Sequence, residues 1–338
     1  MYLLYLPLSL AQPPWLAARA CGGRLMSPVA PGARVVLTGA AGRHGRLLLS
    51  LLRGAQYDVL ATDLAPFPDC PVPFVRADLC DAAATEELLR GTVGVIHAAA
   101  VPGPSSTTPP GVDACWGDKQ MLGLEKLSPA ALLERNVTSA FHVFEAAAKA
   151  GARRLVFSSS VFAMGWSHNP LHYAPAFLPL TESHPATPHE SYGLSKLLGE
   201  HAAACVARTS YRTRAPLSIA SLRFTNLVYP DAEKTLPWAA PTDAAPANVL
   251  MWHWAKAHEV AQAHLLALQA PSLGAEPHEP FLLCAPTTRF TDSSAQLAAR
   301  FYPGVATEVV VGNGALISTA KAQRNLGWRP TTVDALRQ

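Results

Sequence analysis

From Arg34 onward, short apolar runs alternate with longer stretches in which apolar residues recur at helical spacing. This alternation is typical of consecutive βαβ units, which place their strands in one parallel sheet. The pattern therefore predicts an α/β fold built on a doubly wound parallel sheet. Its apolar runs predict strands at 34–38, 57–62, 72–76, 93–97, 154–157, 217–223 and 281–284.

The helical stretches carry recognisable start and stop residues. Asp81 and Ser128 stand at N-cap positions, Pro129 occupies the first turn of the second of these helices, and Gly151 ends it. The spacing predicts helices at 46–53, 81–90, 128–151, 190–208, 249–269, 292–301 and 319–326. Because no clean linker divides the chain, we expect a Rossmann core at 34–223 and a small C-terminal lobe over most of 224–338, with segments returning to the core.

Residues 1–33 precede the first predicted strand and form an N-terminal extension. Its apolar stretch at 2–11 is followed by arginines, and no acidic residue occurs before Asp58, which loosely resembles a targeting segment. Pro7 interrupts that stretch, and no basic residue precedes it. We favour Met26 as the native start, with a targeting segment or an added surface element as the alternatives.

Composition excludes several classes of protein. Charged residues make up 15% of the 338 residues and hydrophobic residues 49%, so a disordered chain is excluded. The formal charge of +3 is too small for a nucleic-acid footprint, and we expect no DNA or RNA partner. Six cysteines without a CxxC pair favour a reducing, cytoplasmic location. No apolar run reaches the roughly 18 residues that span a membrane, so we expect no membrane partner.

A glycine-rich turn follows the first predicted strand and precedes a helix. Gly39, Gly42 and Gly45 have the spacing TGxxGxxG, which permits a tight turn, close approach of a pyrophosphate, and packing of helix on strand. Asp63 ends the second strand 18 residues later, where a carboxylate can bind the adenosine ribose. Its charge favours NAD over NADP, although Arg43 is able to soften that preference. The alternative is a structural turn in an unrelated α/β protein.

Tyr192 and Lys196 are four residues apart on a predicted helix and therefore share a face. A nearby ammonium favours the phenolate of a tyrosine, which then serves as a general acid or base. By itself this pair is common and often only two surface residues. Ser158, Ser159 and Ser160 follow the fifth strand, at the sheet edge where open parallel sheets bind ligands.

With these motifs in this order along the chain, the sequence resembles the extended short-chain dehydrogenase/reductase family, of the NAD-dependent epimerase/dehydratase type. The resemblance spans residues 34–330 and includes the glycine turn, Asp63, the SSS and YGLSK motifs, Ala77-Asp78-Leu79 and His97-Ala98-Ala99-Ala100. It also includes the late motifs STAKA at 318–322 and LGWRP at 326–330.

The resemblance implies a role for each matching position. Ser160 corresponds to the catalytic serine, Tyr192 to the acid/base, and Lys196 to its tuner and a ribose ligand. The cofactor would be held by Gly39, Gly42, Gly45, Asp63, Asp78, Leu79, Ala98 and Ala99. Arg43 and His44 replace an apolar pair found in most relatives, and we count both as cofactor-binding candidates on the glycine turn.

Several positions differ from the family's pattern, and these differences restrict the reactions and substrates that we expect. Val161-Phe162-Ala163 stands where dehydrating relatives carry an Asp-Glu pair, so elimination lacks its acid. The short return after Arg223 favours a small, unactivated substrate and is similar to the compact layout of uronate dehydrogenases. The stretch 247–256 lacks the arginine with which those enzymes hold a carboxylate. Asn226, Trp252 and Trp254 are candidates for lining the substrate pocket, the alternative being an ordinary core stripe.

We therefore expect an NAD-dependent oxidoreductase that interconverts an alcohol and a carbonyl on a small sugar-like or secondary-alcohol substrate. A sugar epimerase with tightly held NAD and a non-catalytic NAD-sensing protein are the alternatives. The histidines lack metal-ligand spacing, and we expect no metal. Because relatives commonly dimerise through the YxxxK helix, analogy implies a homodimer formed by segments 128–150 and 190–208.

Overall fold

A computed structural model of the chain describes residues 28–102, 124, 127–166, 174–211, 216–233, 253–288 and 290–331. Met26 and most of the predicted extension at 1–33 lie outside these residues. The described strands are β1 (Arg34–Thr38), β2 (Asp58–Asp63), β3 (Phe74–Arg76), β4 (Gly94–His97), β5 (Arg154–Ser160), β6 (Phe177–Leu178), β7 (Ser218–Phe224), β8 (Asn226–Val228), β9 (Trp254–Lys256), β10 (His278–Leu283) and β11 (Ala306–Thr307).

The helices fall between these strands, as the βαβ pattern predicts. A short 3₁₀ helix, Val161–Met164, follows β5 directly. The described α-helices are α1 (Arg43–Gly54), α2 (Ala82–Leu88), α3 (Pro129–Lys149), α4 (Ser191–Ser210), α5 (Pro230–Glu233), α6 (Ala257–Gln269), α7 (Ser294–Phe301) and α8 (Ala320–Leu326). The predicted caps are confirmed, since Asp81 accepts from the Ala84 N–H and Ser128 from the Ala131 N–H.

Seven strands form one parallel sheet in the order β10-β7-β5-β4-β1-β2-β3. The strand order reverses at β1, which lies between β2 and β4. At such a switch point, the loops that follow two neighbouring strands run in opposite directions. A crevice therefore opens beyond the carboxyl ends of these strands. The predicted doubly wound sheet is confirmed, and its crevice lies beyond Thr38 of β1 and His97 of β4.

Both faces of the sheet are buried. On β1, Val35 and Leu37 belong to a core that includes α1 and α6, whereas Val36 belongs to a second core with α3 and α4. Successive side chains of a strand point to opposite faces, so one apolar run supplies both cores. This explains why the strands are nearly continuous apolar runs rather than alternating ones.

Several predicted boundaries were wrong, and for two of them the structure gives the reason. The helix predicted at 249–269 begins only at Ala257, because Trp254–Lys256 pairs with β8 as a short strand. The fifth strand continues through Ser160 instead of ending at Phe157, because its serines pair with β7 as far as Phe224. In both cases pairing with a segment distant in sequence overrode the local pattern.

The last part of the chain returns to the core. Strand β10 pairs with β7 at one edge of the main sheet. Trp328, just beyond α8, is buried and donates from Nε1 to the Glu259 carbonyl of α6 at 2.8 Å. The segment predicted as a C-terminal lobe thus contributes β10 to the main sheet, and its helix α6 packs against α1.

Candidate active site

The glycine turn at the end of β1 approaches the loop after β4 very closely. Gly39 has φ +72°, and a Cβ atom there would lie 2.6 Å from the Ala99 nitrogen and 2.7 Å from the Ala98 carbonyl carbon. A Cβ atom on Gly45 would collide with the Gly39 carbonyl oxygen. Both positions therefore require glycine, and the turn brings the predicted residues Ala98 and Ala99 to the crevice.

The helix that follows this turn begins without a side-chain cap. Its N-cap is Gly42, which has no side chain to cap the helix, and no acidic residue occupies the first turn. The free N–H groups and the helix dipole at such a terminus attract an anion. The donor set suits the pyrophosphate of a dinucleotide, and Gly42 leaves room for its close approach.

Asp63 ends β2 beside the turn, as predicted. Its Oδ2 accepts from the Ala41 N–H and its Oδ1 from the Ala65 N–H, both at 3.0 Å. These two bonds hold the buried carboxylate in one orientation, and each oxygen keeps a lone pair for a ribose hydroxyl. The role of Asp63 as a ribose ligand stays a prediction, and this orientation leaves both oxygens able to accept a further hydrogen bond.

A pocket adjoins Asp63 and follows the carboxyl ends of β2, β3 and β4. Asp78 and Leu79, which the family resemblance makes adenine contacts, line it together with Ala99. Arg135 of α3 also lines it, and its Nη2 donates to Asp78 Oδ2 at 2.7 Å. Sequence reasoning missed Arg135, because nothing in the helical pattern shows which residue of α3 faces this pocket.

Arg43 and His44 point in different directions. The Arg43 guanidinium forms an ion pair with Asp231 and lies 4.0 Å from the centre of the Tyr229 ring. The His44 ring faces inward and lies 5.2 Å from the ring of His264. Burial, followed by the charge of His264, lowers the pKa of His44 well below its ordinary value. Only the backbone of His44 belongs to the helix terminus that suits phosphates.

Tyr192 and Lys196 share one face of α4, as their spacing predicts. The Lys196 Nζ lies 5.4 Å from the centre of the Tyr192 ring and 4.9 Å from that of Phe157. It donates to the Ser158 carbonyl oxygen at 2.7 Å. The buried ammonium is therefore held close to the Tyr192 ring by the end of β5, and a positive charge at such a position favours a phenolate.

Phe162 connects Ser160 with Tyr192. Its N–H donates to Ser160 Oγ at 3.2 Å, and its ring packs edge-on against the Tyr192 ring with centres 5.6 Å apart. A Cβ atom on Gly193 would collide with the Phe162 carbonyl oxygen, so glycine lets α4 approach the 3₁₀ helix. Because Ser160 Oγ accepts from Phe162, its own proton remains available to a substrate oxygen.

Glu190 holds the start of the helix that carries Tyr192. Its Oε2 accepts from the Tyr192 N–H at 2.7 Å, and its Oε1 accepts from the Gly193 N–H. Burial raises the pKa of Glu190, against the opposing effect of these two bonds. The sequence predicts a helix start near Glu190 but no role for its side chain, because glutamate is not among the preferred N-cap residues.

Asn136 is a second residue that the sequence analysis missed. Its side chain accepts from the Val101 N–H at 2.8 Å and donates to the Val101 carbonyl at 2.9 Å and to Ser195 Oγ at 3.2 Å. It thereby joins the loop after β4 to α4. The signal available in the sequence was a polar residue on the otherwise apolar face of α3. Such a residue becomes buried on folding, and buried polar groups are usually hydrogen-bonded.

The three substrate-pocket candidates have different environments. Asn226 is exposed at the start of β8 and is in register with Trp254 of β9. Trp254 is buried and donates from Nε1 to the Thr287 carbonyl at 3.1 Å, which makes it a core residue. Trp252 lies outside the described residues.

The described residues show neither a metal-ligand cluster nor a membrane-spanning helix. They contain no group of three or more His, Cys, Asp or Glu side chains placed to hold a metal ion. In the same part of the chain, no helix combines the length and the apolar character needed to cross a bilayer.

Comparison with known proteins relates this geometry to a family. A model described as the NAD dependent epimerase/dehydratase family matches residues 35–113 and 121–282. Uronate dehydrogenase from Pseudomonas putida is 30% identical over 177 residues, covering 51% of this chain and 55% of that protein. UDP-glucose 4-epimerase 4 from Oryza sativa subsp. japonica is 28% identical over 212 residues, covering 61% of this chain and 54% of that protein.

The chain thus spans about half the length of these curated relatives. Among solved structures, a short-chain dehydrogenase/reductase superfamily protein from Agrobacterium tumefaciens with bound NAD gives a TM-score of 0.61 at 22% identity. The alignment covers 90% of this chain and 94% of that one. At this level of identity the likeness establishes a shared fold.

Proposed function

Because the chain belongs to the NAD-dependent epimerase/dehydratase family, we propose that it is an NAD-dependent oxidoreductase interconverting an alcohol and a carbonyl. The proposal depends on one observation above all. The Lys196 ammonium lies under the Tyr192 ring, and Phe162 joins Ser160 to the same ring. This group supplies a proton acceptor and an oxygen ligand at the carboxyl edge of the sheet.

Bound NAD would lie along the glycine turn and the ends of β1 and β4. The helix terminus at Gly42 would hold the pyrophosphate, Asp63 a ribose, and Asp78 with Leu79 the adenine. Asp63 favours NAD over NADP because its carboxylate repels a 2′-phosphate. When bound, this cofactor accepts a hydride from the substrate carbon or returns it.

In the oxidative direction, the Tyr192 phenolate takes the proton of the substrate hydroxyl as the hydride leaves the same carbon. The Ser160 hydroxyl donates a hydrogen bond to the substrate oxygen and keeps that oxygen oriented. Lys196 stabilises the phenolate and would hold the nicotinamide ribose. Reduction reverses these proton movements. Acid–base help of this kind contributes on the order of 10²- to 10⁴-fold in rate.

The substrate that fits best is a small sugar or secondary alcohol. Val161-Phe162-Ala163 supplies no carboxylate for elimination next to Ser160. Asn226 offers an exposed amide for a substrate hydroxyl. The Pseudomonas putida relative, whose name states a uronate substrate, supports a sugar-derived class.

The test is turnover of NAD with the purified full chain on a panel of sugar acids, aldoses, polyols and secondary alcohols. We expect reduced nicotinamide to form with at least one compound. Tyr192→Phe should lower kcat by about 10²- to 10⁴-fold while NAD binding persists. Tyr211→Phe, at the far end of α4, is the matched control and should leave kcat unchanged.

Full turnover by Tyr192→Phe would refute the proposed chemistry. NAD binding without activity on any compound, and without an effect of changing Tyr192, would instead favour a non-catalytic NAD-sensing protein. The two outcomes are distinguishable because NAD binding and turnover are measured in separate experiments.

A sugar epimerase is the second candidate, favoured by the similarity to UDP-glucose 4-epimerase 4 of Oryza sativa. The same residues would then oxidise a sugar and reduce it again with NAD retained. Isomerised sugar without net formation of reduced nicotinamide would identify this activity.

We also propose a cytoplasmic homodimer. Phe141 of α3 and Leu198 of α4 are 38% and 37% exposed, large apolar side chains on two helices that pack side by side. A second copy of the chain would cover them. Leu198→Glu should convert the dimer to a monomer in light scattering, whereas Val309→Glu, at an exposed apolar residue outside α3 and α4, should not.

A further inference from the structure

A buried hydrogen bond joins α6 to the end of β5. Ser158 Oγ and His264 Nε2 are 2.8 Å apart, and His264 Nδ1 lies 2.8 Å from the Val260 carbonyl oxygen, one turn earlier in α6. Both Ser158 and His264 are buried. The His264 ring therefore connects its own helix with the strand that carries Ser160.

The direction of this bond follows from the two partners of the ring. Burial lowers the pKa of His264 to about 4, despite the bond to Val260, so the ring is uncharged at neutral pH and carries one N–H. The Val260 carbonyl only accepts hydrogen bonds, which places that hydrogen on Nδ1. Nε2 is then the acceptor, and the Ser158 hydroxyl donates to it.

The carbonyl oxygen of Ser158 is the group that holds Lys196, accepting from its Nζ at 2.7 Å. Strand β5 pairs with β4 only as far as Phe157, whereas its pairing with β7 continues to Ser160. At Ser158 the strand is therefore held by a neighbouring strand on one side. The bond to His264 supplies a second anchor, from the face of the sheet opposite to α4.

We propose that His264 is a positioning residue for the reaction, because its bond to Ser158 fixes the carbonyl oxygen that holds the Lys196 ammonium. The inference rests on the proposed function, in which that ammonium stabilises the Tyr192 phenolate. Without the bond, the end of β5 gains freedom and the ammonium is held less closely. The Tyr192 phenolate then forms at a higher pH.

Two further rings pack against His264 and close it off from water. His44 of α1 lies 5.2 Å away and Phe224 of β7 lies 6.1 Å away, measured between ring centres. Burial, followed by the charge of His264, lowers the pKa of His44 well below its ordinary value, so both rings are uncharged at neutral pH. Because His264 is fully buried, water does not compete with it for the Ser158 hydroxyl.

The pH dependence of kcat/KM in the oxidative direction tests the proposal, with the full chain, NAD and a compound that it turns over. The acidic limb reports ionisation of the catalytic base in the free enzyme. His264→Leu should move this limb to higher pH by at least about half a unit, which lowers kcat/KM on the limb about threefold. Ser158→Ala removes the same bond with a smaller change of volume and should give the same shift, so it decides the test if His264→Leu does not fold. The double variant should shift the limb no further than either single variant.

A second readout needs neither substrate nor NAD. Ionisation of Tyr192 is followed by phenolate absorbance in the full chain, as the difference from the same titration of Tyr192→Phe. The phenolate should form at a higher pH in both His264→Leu and Ser158→Ala. His264→Gln should bring both readouts back toward those of the unmodified chain, because its amide oxygen keeps an acceptor for the Ser158 hydroxyl.

His278→Leu is the matched control. His278 Nε2 lies 2.8 Å from Ser221 Oγ of β7, so this variant also removes a histidine–serine bond, but one that is not attached to the carbonyl holding Lys196. It should lower stability and leave both pH readouts unmoved. Unmoved readouts in His264→Leu and Ser158→Ala would overturn the proposal, as would an equal shift in His278→Leu. Absence of turnover by the unmodified chain on every compound would instead refute the proposed function, and the absorbance titration would still test the role of His264.

Discussion

The Arg43 guanidinium forms an ion pair with both carboxylate oxygens of Asp231, 188 residues later in the chain. The same guanidinium stacks on Tyr229. The contact ties the glycine turn to the segment after β8, next to the helix terminus that suits the phosphates. The sequence analysis predicts that Arg43 binds the cofactor. In the structure its guanidinium is instead paired with the Asp231 carboxylate.

Removing that carboxylate should release Arg43 toward the phosphates. The pair is exposed, at 38% for Arg43 and 71% for Asp231, so stability depends little on it. We expect Asp231→Asn to tighten NAD binding about two- to fivefold at low salt, an effect worth less than about 1 kcal/mol. Fluorescence titration at two salt concentrations measures it, because screening should weaken the gain.

Glu87→Gln removes one partner of an exposed ion pair elsewhere and serves as the control for Asp231→Asn. Unchanged NAD affinity in Asp231→Asn would show that Arg43 does not bind phosphate. Weaker NAD binding would mean that the Arg43–Asp231 ion pair itself holds the glycine turn in its binding conformation.

Glu190 should influence the pH dependence of the reaction. Its carboxylate lies at the start of α4, bonded to the Tyr192 N–H, and a nearby negative charge disfavours a phenolate. Replacement by glutamine should move the acidic limb of kcat/KM to lower pH and cost about 1 kcal/mol of folding free energy. Asp81→Asn, at the N-cap of α2, should alter stability without moving the pH profile. An unmoved profile in Glu190→Gln would restrict Glu190 to capping.

Buried histidines should make the fold sensitive to acid. Burial lowers the pKa of His97 to about 3 and, before its neighbouring charges, that of His278 to about 4. The unfolded chain binds these protons near pH 6.5, so stability is complete above that pH and is lost as the pH falls toward 4. Each group contributes about 1.4 kcal/mol per pH unit in this window.

Urea unfolding at several pH values measures that slope. His278→Gln should reduce it by about 1 kcal/mol per pH unit, whereas His201→Gln, on the exposed side of α4, should not. Equal slopes for His278→Gln and the unmodified chain would contradict burial of an uncharged His278.

The most severe loss of stability should follow from breaking a buried ion pair in the core. Glu200 accepts from Ser159 Oγ at 2.5 Å and from Arg223 Nη2 at 2.6 Å. Glu200→Gln leaves the Arg223 charge uncompensated and should cost about 3–5 kcal/mol in chemical denaturation. Adding Arg223→Met should recover at least half of that loss. A double variant less stable than the sum of the single effects would refute the pairing argument.

Local pattern was enough to predict the sheet and much of the site. The glycine turn, Asp63 at a strand end, and the spacing of Tyr192 and Lys196 each depend on a few consecutive residues. Short-range geometry determines them, since a strand end or a helix face positions its side chains wherever the element packs. The start of the helix at 257 was mispredicted because pairing of 254–256 with β8 was decided by distant residues.

The chain by itself thus determined the βαβ order, the turn that needs glycine, and the shared face of Tyr192 and Lys196. Only the tertiary structure decided that Arg135 meets Asp78 across 57 residues and that Arg43 meets Asp231. Neither pair leaves a periodic signal, because each contact joins elements that are distant in sequence. Arg135 of α3 meets the loop after β3, and Arg43 at the start of α1 meets α5. Their side chains meet only after the strand order and the packing of α3 have been established.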